Sequence, residues 1–210
     1  MFKKIMLTAA LAVAVTGQAL FAADMTKLIP EDTDFLLQIN VSKILSLPEV
    51  QKQISDEFEK SPEQKKTYEE LKAKSGFDPL KDLHNVVLFS SGQAIEGKFD
   101  VEKIVKVIKE DENAKKDVDV TVVDGYNCVV PKNNKDGYGM FLDNQYVVVG
   151  SQAGVDAVKA VKSGKAKTIE TNKDFLAIIN KIDSKATVSG AGILPQAFKD
   201  KCAQNPNAAA

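Results

Sequence analysis

The chain has 210 residues, of which 44% are hydrophobic, 27% charged and 7% aromatic, with a formal net charge of −1. This is the balance of an ordinary folded protein, and it sets aside the fibrous, disordered and nucleic-acid-coating classes. All 28 basic residues are lysine, tryptophan is absent and His84 is the only histidine, so the planar guanidinium fork that reads phosphate, carboxylate or guanine in bidentate fashion is missing.

Residues 1–22 read as an export signal. Lys3 and Lys4 precede the apolar run Ile5 to Val15, which Gly17-Gln18 then breaks; such a run is too short to cross a bilayer as a helix. Cleavage after Ala22 would place Leu20 and Ala22 at the positions a signal peptidase inspects. No cysteine stands near that point to carry a lipid, and no later apolar run is long enough to span a membrane, so no membrane anchor is expected in the mature protein. Opposite charges alternate along the rest, as in Glu57-Phe58-Glu59-Lys60, a mixed solvated surface that disfavours nucleic acid as a partner. No Pro/Gly/Ser-rich linker divides residues 23–202, which read as a single α+β domain, and residues 203–210 read as a disordered tail.

Asp34 to Val41 is short, apolar and bounded by turn formers, a first strand. Ser46-Leu47-Pro48-Glu49 has the spacing of a reciprocal cap, opening a helix with Val50, Ile54 and Phe58 on one stripe. Ser61-Pro62-Glu63-Gln64 repeats that device for a second, mostly solvated helix ending at Gly76. After one capped turn within Gly76 to Leu83, Val86 to Phe89 and Ala94 to Phe99 form a hairpin. Asp100 caps a helix whose Val101, Ile104, Val105 and Ile108 define a core face. Val118 to Val122, Asp124-Gly125 and Tyr126 to Val130 make a second hairpin, and Gly137 to Leu142 with Gln145 to Gly150 a third, turning at Asp143-Asn144. Helices follow over Gln152 to Lys162 and Lys173 to Ile182, then a glycine-weakened strand from Ala186 to Leu194 and a short terminal helix from Pro195.

The order implies an α+β domain with an extended, largely antiparallel sheet and helices packed on one face, the first part open to a ferredoxin-like reading. Val86 to Lys109 and Gly137 to Lys162 echo each other as strand, turn, strand, glycine, helix, which fits either a duplication or two similar helix starts. The segments LIPEDTDFLLQINVSKIL, GFDPLKDL, EGKFDVEKIVKVIK and YVVVGSQAGVDAVKAVKSGK together resemble a family of secreted bacterial proteins of unknown function. That resemblance implies an exported α+β domain with no assigned activity and no catalytic residues to carry over.

The sequence offers no cofactor site. His84 is the only imidazole available to a serine or cysteine mechanism, and neither G-x-S-x-G nor Ser-x-x-Lys occurs. Metal spacing is absent; Lys132 to Asp143 approximates a calcium loop through Asn134, Asp136 and Gly137, but Lys132 holds the first ligand position. Ser163-Gly164-Lys165 closes a helix where a phosphate loop would open one. Glu110-Asp111-Glu112 reads as solvated surface, and Asn40-Val41-Ser42 is a sequon by chance in a bacterial host. Cys128 and Cys202 are the only cysteines; in an oxidising compartment they either pair, closing a loop for about 4 kcal/mol, or remain two separate thiols.

The expected function is therefore an exported, non-enzymatic binding or interaction protein of the bacterial periplasm or cell surface, with an unknown protein or small-molecule ligand as partner. The alternatives are a carboxylate-based hydrolase of cell-envelope polymers and a structural envelope component acting through a sheet edge. Mass spectrometry of the protein from its producing cells is expected to show a chain beginning near Ala23; an intact Met1 to Ala22 segment would overturn the leader.

Overall fold

The computed structural model describes residues 25–133, 137–179 and 186–193. A 3-10 turn at Thr26–Leu28 leads into β1 (Phe35–Asn40). Asn40 then caps α1 (Val41–Leu45), its Oδ1 accepting from Lys43 N at 2.8 Å. Helix α2 (Pro48–Lys60) and helix α3 (Pro62–Ser75) form a hairpin joined by Ser61, with Phe58 and Tyr68 ring centroids 5.2 Å apart. Neither serine caps as the spacing predicts. Ser46 ends α1, its hydroxyl donating to Lys43 O, because Asn40 has already started a helix upstream; Ser61 makes no side-chain cap bond. Gly76 closes α3 at φ +70°, a left-handed conformation that glycine adopts without strain.

The short α4 (Pro79–Asp82) runs into β2 (Leu83–Phe89) and its hairpin partner β3 (Gly92–Gly97), followed by α5 (Val101–Glu110) and α6 (Ala114–Asp117). Next come β4 (Val118–Val123), β5 (Tyr126–Pro131), β6 (Tyr138–Phe141), β7 (Tyr146–Gly150) and α7 (Gln152–Lys162). Asp124 and Gly125 both take positive φ in the β4–β5 turn, the backbone of a tight hairpin connection that matches strand twist. A 3-10 turn at Ile169–Thr171, helix α8 (Lys173–Ile179) and β8 (Val188–Gly192) complete the described chain. The expected terminal helix from Pro195, the tail and the leader lie outside the described residues.

All eight strands join one antiparallel sheet in the order β4-β5-β6-β7-β3-β2-β1-β8. The α+β class and the antiparallel sheet are as the sequence implies. A ferredoxin-like start does not form: that arrangement inserts a strand between the first two, whereas β1 and β2 are direct neighbours from Leu36–Phe89 to Asn40–Asn85.

The helices divide between the faces instead of sharing one. On the front face, Leu36, Val87, Ala94, Met140 and Val148 pack with Val155 and Val158 of α7, Phe175 of α8 and the 3-10 residues Leu28 and Ile169. On the back face, Ile95, Val86, Val147 and Phe141 pack with Phe99 and with Val101 and Val105 of α5. Because neighbouring residues of a strand point to opposite faces, Ala94 and Ile95 are buried on opposite sides, and Val148 is buried in front while Val147 is half-buried behind. The two hairpin-helix units thus place their helices on opposite faces. The twofold axis relating the antiparallel neighbours β3 and β7 would keep both helices on one face, so it does not relate the units. Within α5 the expected face turns inward but is unevenly covered: Val101 and Val105 are buried, Ile104 is half-buried against the cluster, and Ile108 is half-buried beside a surface cavity.

Three glycines set the seam between the halves of the sheet. Gly92 pairs with Gly150 across β3 and β7, and a Cβ on either would lie 2.7 Å from a backbone oxygen of the other side. Gly154, in the first turn of α7, packs directly on the backbone of Ser91 in the β2–β3 turn, leaving no room for a methyl group. Since Ser91 O belongs to a hairpin that cannot yield, Gly154→Ala is expected to destabilise by about 3 kcal/mol, the upper end of overpacking costs. Gly139→Ala, where the added carbon meets nothing nearer than 3.8 Å, should be close to neutral; equal chemical-denaturation midpoints for the two variants would refute the seam.

Candidate functional site

A broad cleft of about 880 Å³ lies at the end of β3. It is formed where backbone segments distant in sequence are laced together. Lys98 N donates to Asp82 O at 2.8 Å, Gly97 N to Gln145 O at 2.9 Å and Phe99 N to Asn144 O at 2.8 Å. The stretch Gly97–Phe99 is thereby clamped between α4 and the β6–β7 turn. Gly97 is required there, since a Cβ would lie 2.5 Å from Asp82 O. Phe99 forms the apolar floor, its ring 5.4 Å from Phe77 and 6.3 Å from Phe141, centroid to centroid.

Asp82, Asp100 and Asp143 line the cleft beside His84, Lys98, Asn144 and Gln145. Each carboxylate already serves the fold. Asp82 Oδ2 accepts from Asp78 N at 2.7 Å. Asp100 caps α5, accepting from Lys103 N at 3.1 Å and pairing with the Lys103 ammonium at 2.7 Å; those bonds to Lys103 hold its pKa below the ordinary value. Asp143 accepts from Gln145 N and Tyr146 N at 2.8 Å and from the Lys162 ammonium at 2.8 Å. Burial works against its charge, but these bonds outweigh burial and hold its pKa low. Asp100 and Asp143 therefore remain ionised at neutral pH. Among the described residues, no hydrogen bond or ion pair engages the side chain of Lys98, His84 or Asn144, which also line the cleft.

The wall built by α4 depends on a buried acid. Asp78, with its side chain 8% exposed, caps α4 by accepting from Leu80 N at 3.1 Å, and takes a 2.6 Å hydrogen bond from the Tyr68 hydroxyl. Its other oxygen faces the Lys72 ammonium at 3.3 Å. Burial pushes the Asp78 carboxyl up, yet the bonds from Tyr68, Lys72 and Leu80 N outweigh it and leave the pKa lowered. The same environment, burial first and then Asp78, raises the Tyr68 hydroxyl.

Other residues singled out by sequence fall elsewhere. Cys128 is fully buried on the front face, its thiol directed to Tyr126 O at 3.5 Å, and burial with the neighbouring thiol lifts Tyr138 to about 12. Cys202, its proposed disulfide partner, lies outside the described residues, as do Asn134 and Asp136 of the calcium-like loop. Among the described residues no three His, Cys, Asp or Glu side chains are grouped so as to hold a metal ion, and no helix is long and apolar enough to cross a membrane. Asp111, between Glu110 and Glu112, accepts from Asn113 N and Ala114 N and so starts α6. Asn40 spends its amide oxygen on Lys43 N and the Ser42 hydroxyl. Ser163 and Gly164 end α7, with Gly164 at φ +72°. Of the cleft, sequence reading singled out His84, the Asp100 cap and the Asp143 turn without joining them; Asp82, Lys98 and Gln145 were missed. Gly97 was the available signal, a glycine where a strand would otherwise place a side chain.

No family model matches the chain, and no curated protein matches it. Among solved structures, crystal form I of TP0453 is similar at a TM-score of 0.32 and 12% identity, over 86% of this chain. The chain spans 57% of that one's length.

Tyr68→Phe should cost about 1.5–3 kcal/mol at neutral pH, the range for a hydrogen bond to a charged group. The Asp78 carboxylate has a lowered pKa in the folded state, so its stabilisation is present above the unfolded value of about 3.9 and is lost as pH falls through the folded one. The gap between wild type and Tyr68→Phe should accordingly narrow as the pH falls below the unfolded value. Urea unfolding at several pH values checks this, and a gap independent of pH would refute it.

Proposed function

We propose that this chain is an exported protein of the bacterial periplasm or cell surface that works by binding, with the cleft around Gly97–Phe99 as its ligand site. The reading of export rests on the order of Lys3-Lys4, apolar core and small residues, together with the resemblance to secreted proteins of unknown function. The reading of binding rests on one observation: the cleft carboxylates are committed to caps, turns and ion pairs. A hydrolase that works through two carboxyl groups needs one held protonated at working pH, which requires a raised pKa. In Asp100 and Asp143 the shift runs the other way.

The side chains left to meet a ligand are the Lys98 ammonium, the His84 imidazole and the Asn144 amide, set over the Phe99 ring. Such a set suits a polar small molecule or peptide group that accepts hydrogen bonds and lays an apolar edge on the floor. Neither nucleic acid nor a resident cofactor is part of the proposal.

Soluble cell-envelope fragments, glycan and peptide, provide the test. A bound fragment is expected to raise the melting temperature, ligand at about 100 times its Kd contributing about 2.7 kcal/mol. The shift should be lost in Lys98→Ala and Asn144→Ala while the unliganded melting temperature stays put. Turnover of a fragment, abolished by Asp100→Asn or Asp143→Asn, would replace this reading with the hydrolase.

A further inference from the structure

We infer that the segment Met25–Glu31 is a strap whose docking and the removal of the leader exclude each other, so that the strap closes over the front core once the leader is cut. This rests on the export reading proposed above, with the cut after Ala22. Only Ala23 and Asp24 then separate the cut from Met25, about 7 Å of fully extended chain. Met25 is nevertheless completely buried.

The strap is held along its length. Met25 and Ile29 are 0% exposed and Leu28 is 4% exposed, all three in the front core with Val155 and Val158 of α7 and Phe175 of α8. Its backbone is tied to the stretch between α7 and α8: Ile169 N donates to Ile29 O at 2.8 Å, Glu31 N donates to Lys167 O at 3.2 Å, and Pro30 bridges to Thr168. Side chains reach the same stretch. The Thr26 hydroxyl donates to Glu170 Oε1 at 2.6 Å, the Thr171 hydroxyl to Glu31 Oε1 at 2.8 Å, and Asn172 Nδ2 to Glu31 O at 3.2 Å.

A peptidase works on chain that is exposed and unpaired on both sides of the bond it cuts, and buried, hydrogen-bonded backbone is cut only from its opened form. The first residues after Ala22 are Ala23, Asp24, Met25 and Thr26. Thr26 opens the buried 3-10 turn, so a peptidase that grips these residues must find the strap undocked. The body does not need the strap in order to form. The pairings of β1 with β2 and β8 start at Leu36 and Phe35, beyond it, and the back-face core contains none of its residues. What stays incomplete is the front core, where Val155, Val158, Ile169 and Phe175 lack three apolar neighbours until the strap closes. Removal of the leader therefore precedes the last step of folding.

The full 210-residue chain, refolded in detergent and treated with the signal peptidase of its producing cells, tests this. Cleavage after refolding is expected to be slower by about tenfold or more than cleavage of chain added straight from denaturant, since only the opened fraction is cut. Ile29→Asn, which undocks the strap, and Glu170→Ala, which removes the partner of Thr26 without touching residues near the cut, should each restore much of the fast rate. Hydrogen exchange separates an opened strap from general unfolding: the Ile169 and Glu31 amides should lose protection while those of β2 and β3 keep it. A refolded chain cut as fast as the unfolded one would overturn the inference, as would a variant with an opened strap that is cut no faster. A chain that is not cut near Ala22 even when unfolded would overturn the export reading, and the strap with it.

Discussion

The pairing of β3 with β7 is the contact on which the architecture depends. Strands β2, β1 and β8 reach the rest of the sheet only through β3, and β6, β5 and β4 only through β7. Five residue pairs, from Gly92–Gly150 to Glu96–Tyr146, make that junction. Closeness at one end is allowed by glycine: Gly92 and Gly150 let the two backbones meet, and Gly154 lets α7 start on top of Ser91. The helix that follows β7 is thereby held to the turn that precedes β3, and the front core of Val148, Val155, Val158 and Ala94 closes over the junction. At the opposite end of the same pair, Gly97 passes under Asp82 O and Phe99 bonds to the β6–β7 turn. One strand pair thus organises the packed core at one end and the cleft at the other.

The lysine-only composition shapes the electrostatics. Asp78, Asp100 and Asp143 each meet a flexible ammonium and one or more fixed backbone N–H groups, as Asp100 does with Lys103 and Asp143 with Lys162, Gln145 and Tyr146. Backbone donors are already in place when the chain folds, so less side-chain entropy is lost than in an ion pair between two long side chains. Where such a pair stands in solvent, as for Lys52 with Asp56 on α2, its contribution is small. The acids that matter are those bonded to backbone, and these are the ones that shape the cleft.

The hairpins were legible because their evidence is local: alternating valines, Asp124-Gly125 between them, and Asp143 beside its own turn. The helix cap at Asp100 was legible for the same reason, and a capped turn was legible within Gly76 to Leu83, where Asp78 proves to be the cap. Ser46 was misread because the spacing of a reciprocal cap says nothing about a helix already under way, and Asn40 had begun one; Ser61 does stand at the start of its helix, without the side-chain bond. Face assignment failed for a different reason. Val147-Val148-Val149 and Ala94-Ile95 are apolar on both parities, so alternation cannot separate a strand covered on one side from a strand covered on two. The cleft left almost no trace, since Asp82, Gly97 and Asn144 are brought together by backbone hydrogen bonds, to which side-chain identity is nearly silent.

The two faces are unequally secured, and the cleft lies on the weaker side. The front core joins strands, α7, α8 and both 3-10 turns, whereas α2 buries no residue and α3 buries only Ser75. Elements with few buried apolar groups open at lower free energy than the global unfolding. What holds the helical hairpin to the body includes the packing of α3 on α5 and the bond from Tyr68 to Asp78. Asp78 is also the cap of α4, and Asp82 O at the end of α4 receives Lys98 N. The rigidity of one cleft wall is therefore shared with a peripheral hairpin through a single buried carboxylate. Loosening the hairpin withdraws the Tyr68 hydroxyl from Asp78, leaves that acid less compensated in its burial, and relaxes the α4 wall against which Gly97–Phe99 is clamped.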